Sequence, residues 1–120
     1  MRNPHVGGWM EKLVIRAKIW LEVGNCSLIG EGREQLLQLI DELGSISAAG
    51  RKMGLSYRKA WSNVQTMEQA LGCKLIARQR GGSGGGASVL TQDAKDLLLF
   101  IYGLRKKFET FIDELSESEI

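Results

Sequence analysis

Arg58, Ser62, Gln65, Thr66 and Gln69 stand at helical spacing and together offer one guanidinium, two carboxamides and two hydroxyls on a single arc. A guanidinium bonds O6 and N7 of guanine at once, while amides and hydroxyls meet other base edges or phosphate oxygens, so the arc has the chemistry that entry into a DNA major groove requires. The other side of the same segment carries Ala60, Val64, Met67 and Leu71 at i, i+4, i+7 and i+11, a narrow apolar stripe.

The residues leading into this helix explain how it is held. Ser45 and Ser47 can cap a short helix through residues 48–53, Gly54 supplies a left-handed stop, Leu55 is an apolar plug, and Ser56 can cap a second helix running to Leu71. Two short helices joined by a tight glycine turn cross steeply, which predicts a helix-turn-helix with the second member turned outward as a recognition helix.

Charge supports that assignment. The chain as a whole is only +2, yet residues 51–80 hold Arg51, Lys52, Arg58, Lys59, Lys74, Arg78 and Arg80 against the single Glu68, a net +6. Residues 1–50 carry five bases and six acids, and residues 81–120 four and seven, so the positive charge is segregated onto the helix-turn-helix and the segment behind it.

Behind Gly72, residues 74–80 read as a strand, residues 81–86 as a glycine-rich tip, and residues 87–90 as a returning strand. A hairpin directly after a recognition helix is a wing. Gly82, Ser83 and Gly84 at its tip let backbone approach phosphates closely, with Arg78 and Arg80 at its base on one face. Gly81 and Gly86 have the spacing of a nucleotide-binding P-loop, but Ala87 occupies the place of the lysine and a strand follows instead of a helix, which excludes that chemistry.

The remaining elements frame this site. Residues 1–11 lack periodicity and read as a flexible arm. From Lys12 onward Ala17, Ile19, Leu21 and Val23 alternate with Lys18, Trp20 and Glu22, predicting a strand that Gly24 and Asn25 turn towards residues 26–29. Trp20 points with the polar set as a shield for the hairpin edge. Residues 31–43 place Leu36, Leu37, Ile40 and Leu43 at helical period behind Glu31 and Glu34, a scaffold helix that Gly44 ends.

Thr91 caps a last helix with Asp93 in its first turn. Its apolar residues Leu97, Leu98, Ile101, Leu104, Phe108, Phe111, Ile112 and Leu115 recur at three- and four-residue steps, more apolar surface than a wing domain must cover. These eight residues are the expected homodimer seam. Pairing sets two recognition helices on one face, and a separation near one DNA turn, roughly 34 Å, predicts an inverted-repeat operator.

Composition narrows the classes. At 120 residues and 43% hydrophobic the chain makes one domain with a modest core: residues 12–90 as the DNA-binding domain and 91–120 as the dimerisation helix. No cationic start precedes an apolar run and none is long enough to span a bilayer, so the expected location is the cytoplasm, with no membrane partner. Cys26 and Cys73 are far apart and His5 is the only histidine, so neither a disulfide framework, a metal site nor a catalytic Ser/His/Asp or Cys/His set is expected. The expectation is therefore a non-enzyme without cofactor or tight small-molecule ligand.

The order of hairpin, scaffold helix, GSISAAGRKMGLSYRKAW and RQRGGSGGGASVLT resembles the N-terminal DNA-binding domain of the ModE family of molybdate-responsive transcriptional regulators over roughly residues 12–118. The SISAA…LS block alone is also similar to LysR-type regulators, which lack the leading hairpin and this wing. The resemblance implies DNA contact by Ser56, Tyr57, Arg58, Lys59 and Trp61 in the recognition helix and by residues 80–86 in the wing. ModE proteins continue into molybdate-binding domains and this sequence stops at Ile120, so a regulator without its own molybdate-binding domain is expected. The fold expected is mainly α with small β (α+β): a winged helix-turn-helix with an N-terminal β-hairpin and a long C-terminal dimerisation helix, binding double-stranded DNA in a role tied to molybdenum. The alternative is a winged-helix interaction module that joins a separate sensor subunit.

Overall fold

The computed structural model describes residues 7–79 and 87–118. The wing tip with Arg80, Gly82, Ser83 and Gly84, and residues 1–6 of the expected arm, lie outside the described residues. In chain order there follow a short 3-10 helix (Gly8–Lys12), β1 (Leu21–Val23), β2 (Cys26–Ile29), α1 (Glu31–Leu43), α2 (Ile46–Lys52), α3 (Tyr57–Leu71), β3 (Ile76–Gln79), β4 (Ala87–Leu90) and α4 (Gln92–Ser118). The chain forms two compact units, Trp20–Leu99 and the pair of segments Met1–Ile19 with Phe100–Ile120.

In the Trp20–Leu99 unit the helix ends follow local chemistry. The Ser45 hydroxyl accepts from the backbone N–H of Ala48 at 3.0 Å, and the Ser56 hydroxyl from that of Lys59 at 3.1 Å, each satisfying an otherwise unpaired N–H of a first turn. Ser47 lies inside α2. At the other end of α2, Leu55 N–H reaches the carbonyl of Gly50 at 2.8 Å and Gly54 N–H that of Arg51 at 3.0 Å, a Schellman closure made possible by φ +73 at Gly54.

This turn brings α2 onto α3. A Cβ built on Gly50 would lie 3.0 Å from Cβ of Ala60, so the two helices meet where neither has bulk. Leu36, Leu39, Ile40, Ile46, Ala49, Ala60 and Val64 are buried together, with Met53, Trp61 and Ile76 packed against them. Each fully buried aliphatic of this kind contributes about 1.5–3 kcal/mol, so α1 and the first half of α3 are joined by apolar burial.

The two hairpins are antiparallel. β3 pairs β4 in the register Ile76 to Leu90 through Gln79 to Ala87. The wing is tied to the rest of its unit by Ser88 N–H on the Gly44 carbonyl at 2.9 Å and by Thr91, whose hydroxyl donates to the Lys74 carbonyl at 2.7 Å and accepts from Ala94 N–H at 3.2 Å.

Three sequence expectations need correction. The first strand covers only Leu21–Val23 instead of the whole alternating run from residue 17, because its partner β2 is four residues long and Gly30 already turns into α1. Trp20 sits beside that turn, 56% exposed, with its indole N–H on Glu22 at 2.9 Å. Leu43 and Leu71, expected on the core stripes, are exposed at the open last turns of their helices, and Leu39 is buried in α1 instead. In the other unit, Gly8–Lys12 is a 3-10 helix, and Ile15 and Ala17 face Phe108 and Ile112 across a groove.

Candidate nucleic-acid interface

The candidate interface is built on α3. Ala60, Val64 and Met67 are fully buried, which fixes the rotation of the helix to first order and leaves Ser56, Tyr57, Arg58, Lys59, Ser62, Gln65 and Gln69 exposed. Arg51 and Lys52 are exposed at the end of α2, and Arg78 on β3. Of the sequence-predicted set, Ser56, Tyr57, Arg58, Lys59, Ser62 and Gln65 are thus exposed at or along α3 and Arg78 on β3, while the wing-tip residues lie outside the described residues.

Two members are only partly exposed. Trp61 is half-buried and packed against the core cluster. Thr66 is also half-buried, and its hydroxyl donates to the Ser62 carbonyl at 2.9 Å, one turn earlier, which commits its proton to the helix itself.

Sequence reasoning missed three residues. Glu68, the lone acid of the basic segment, is 9% exposed and accepts backbone N–H groups from Leu75 at 2.8 Å and Ile76 at 3.2 Å, with Lys74 at 3.7 Å. Its carboxylate starts the wing instead of opposing the surrounding bases, and its isolation among them was a usable signal. Arg33 and Asn63 bond each other over thirty positions of sequence, for which no local signal exists.

The chemistry of the face is recognition. A shallow groove of about 270 Å³ is lined by Gln65, Glu68, Gln69, Gly72, Cys73 and Lys74. Burial pushes the Cys73 thiol above its ordinary pKa, helped by the Asp93 and Glu68 carboxylates, which keeps it protonated and a poor nucleophile. Among the described residues no three His, Cys, Asp or Glu side chains come together as a metal site, and no helix is long and apolar enough to cross a membrane.

The expected seam residues of α4 divide by exposure. Ile101 is fully buried by its own chain, Leu97, Leu98, Leu104, Phe108, Ile112 and Leu115 are half-buried, and Phe111 is exposed. Leu99, Phe100 and Tyr102 are exposed as well, which the three- and four-residue spacing had assigned no role.

Comparison with known proteins bears on this arrangement. The family of bacterial regulatory helix-turn-helix proteins of the lysR type matches residues 34–95. The molybdenum-pterin-binding protein MopB of Rhodobacter capsulatus is 44% identical over 75 residues, 62% of this chain and 27% of that protein. The molybdenum transport protein ModE of Azotobacter vinelandii is 30% identical over 101 residues, 84% of this chain and 37% of its own. The DNA-binding transcriptional dual regulator ModE of Escherichia coli K12 is 34% identical over 87 residues, 72% of this chain and 33% of its own. The chain thus spans about a third of the length of these relatives. The solved structure of ArgP from Mycobacterium tuberculosis superposes with a TM-score of 0.53 over 74% of this chain and 31% of ArgP, at 20% identity, and shares the fold.

Proposed function

Since this chain belongs to the lysR family of bacterial regulatory helix-turn-helix proteins and its domain is ModE-like, we propose that it is a sequence-specific transcriptional regulator of ModE type, connected with molybdenum uptake or metabolism. One observation carries the reading of the site: α3 buries Ala60, Val64 and Met67 and presents Arg58, Ser62, Gln65 and Gln69 at the centre of the chain's basic segment. With 15 residues α3 is about 22 Å long and, side chains included, about 10–12 Å across, the size of a B-DNA major groove. Arg58 reads a base edge; Lys59, Arg51, Lys52 and Arg78 hold phosphates. The molybdenum connection rests on its similarity to a molybdenum-pterin-binding protein and a molybdenum transport protein.

The protein acts as a homodimer through α4, whose exposed Phe100, Tyr102 and Phe111 supply apolar surface for a second copy. It is not an enzyme, and a DNA ligand places it in the cytoplasm. The same exposed aromatics favour the alternative that α4 receives a separate sensor subunit. Selection of genomic fragments by the purified protein tests the main reading. The expected result is enrichment of a few promoter fragments sharing an inverted repeat, with retention falling steeply as salt rises. Retention without sequence preference at every salt concentration would contradict it.

A further inference from the structure

We propose that Arg33 and Asn63 form a positioning clamp that sets the rotation of α3 about its own axis, and so decides which of its side chains enter the groove. The inference rests on α3 being the reading helix. Arg33, in the first turn of α1, donates from Nε to Oδ1 of Asn63 at 2.8 Å and from Nη1 to the carbonyls of Ser27 and Leu28, both at 2.9 Å. Asn63 in turn donates from Nδ2 to the Lys59 carbonyl at 3.0 Å, one turn back along α3. One planar guanidinium therefore holds the end of the first hairpin, the scaffold helix and the recognition helix together, and a rigid fork fixes direction as well as distance.

Apolar packing fixes the rotation to first order and leaves its last few degrees to directional contacts. Burial of Ala60 and Val64 is non-directional, so a small roll of α3 costs little apolar area. The clamp is far less tolerant: with side chains the helix is about 10–12 Å across, and a roll of about 20° carries Oδ1 about 2 Å along its arc. That displacement takes the Arg33 bond from 2.8 Å to beyond hydrogen-bonding range. A groove lined by Gly32, Arg33, Leu36, Met53, Leu55 and Asn63 borders the pair, so the turn side of α3 is open at this point.

The test compares wild type, Asn63→Ala, Arg33→Lys and the double variant on a selected operator and on random duplex of the same length. Arg33→Lys keeps the charge and loses the fork, which separates positioning from phosphate attraction. Each single variant is expected to lower the operator-to-random affinity ratio about tenfold, with affinity for random duplex and the salt slope unchanged. The double variant should be no worse than either single one, because the two residues act as a unit. Parallel losses on both duplexes, or additive losses in the double variant, overturn the clamp. Asn63→Gln, which moves the amide by one methylene while keeping its chemistry, should match Asn63→Ala, and full retention of specificity in it also overturns the proposal. If the wild type distinguishes no sequence, the reading of α3 fails, and the clamp is judged in the free protein by amide hydrogen exchange in residues 60–67. Exchange there should rise about tenfold in Asn63→Ala, and unchanged protection refutes it.

Discussion

Replacing Glu68 separates two ways in which a buried carboxylate can stabilise this domain. Its side chain is 9% exposed and accepts N–H groups of Leu75 at 2.8 Å and Ile76 at 3.2 Å, and Lys74 approaches at 3.7 Å. Hydrogen bonds to a charged acceptor contribute about 1.5–3 kcal/mol each, so the two amides together account for about 3–6 kcal/mol. The Lys74 side chain is 79% exposed, and an ion pair at such a position contributes at most about 1 kcal/mol. The amide bonds therefore outweigh the ion pair several-fold. Glu68→Ala should lose about 3–6 kcal/mol, Glu68→Gln, which keeps an acceptor of the same size, about 1–2 kcal/mol, and Lys74→Ala less than 1 kcal/mol. Urea unfolding followed by circular dichroism measures all three. A Lys74→Ala loss equal to or larger than that of Glu68→Gln, or a Glu68→Ala loss under about 1 kcal/mol, would refute the argument that this acid holds the start of β3.

Gly50→Ala should destabilise by about 1–2 kcal/mol, since crowding a Cβ 3.0 Å from Ala60 outweighs the gain in helix propensity of about 1 kcal/mol. Gly103→Ala, with nothing within 4 Å, should show that gain undiminished; thermal unfolding with Gly50→Ala at or above wild type contradicts the close approach of α2 and α3. Phe100→Asp with Phe111→Asp should yield a folded monomer by light scattering and circular dichroism, whereas a wild type already monomeric at tens of micromolar removes the dimer. The raised pKa of Cys73 predicts that iodoacetamide labels it more slowly than exposed Cys26 as pH climbs through the ordinary thiol range. Because its folded pKa lies above the unfolded one, the associated stability is full below the unfolded pKa and is lost as pH rises through the folded pKa. Equal labelling rates at every pH would contradict the shift.

What could be read from the sequence was local. The caps at Ser45 and Ser56, the left-handed stops at Gly44, Gly54 and Gly72, and the outward arc of α3 depend on neighbours within one helical turn, and the structure places them as expected. Features set by distant parts of the chain could not be read. The first strand stops short because of the length of its partner. Arg33 meets Asn63 across thirty positions. Ile101 has the same spacing as its α4 neighbours, yet it is buried while Phe111 is exposed, since periodicity defines a face without saying what covers it. Charge segregation located the candidate interface, whereas the inward turn of Trp61 needed the packed core.

Whether α3 reads base sequence is decided by the affinity of Arg58→Ala for a selected operator and for random duplex of the same length. Arg58→Ala should lose about 1–3 kcal/mol on the operator, with relaxed preference at one base pair and little change on random DNA. Equal losses on the two duplexes, with the operator's base preferences intact, would contradict it.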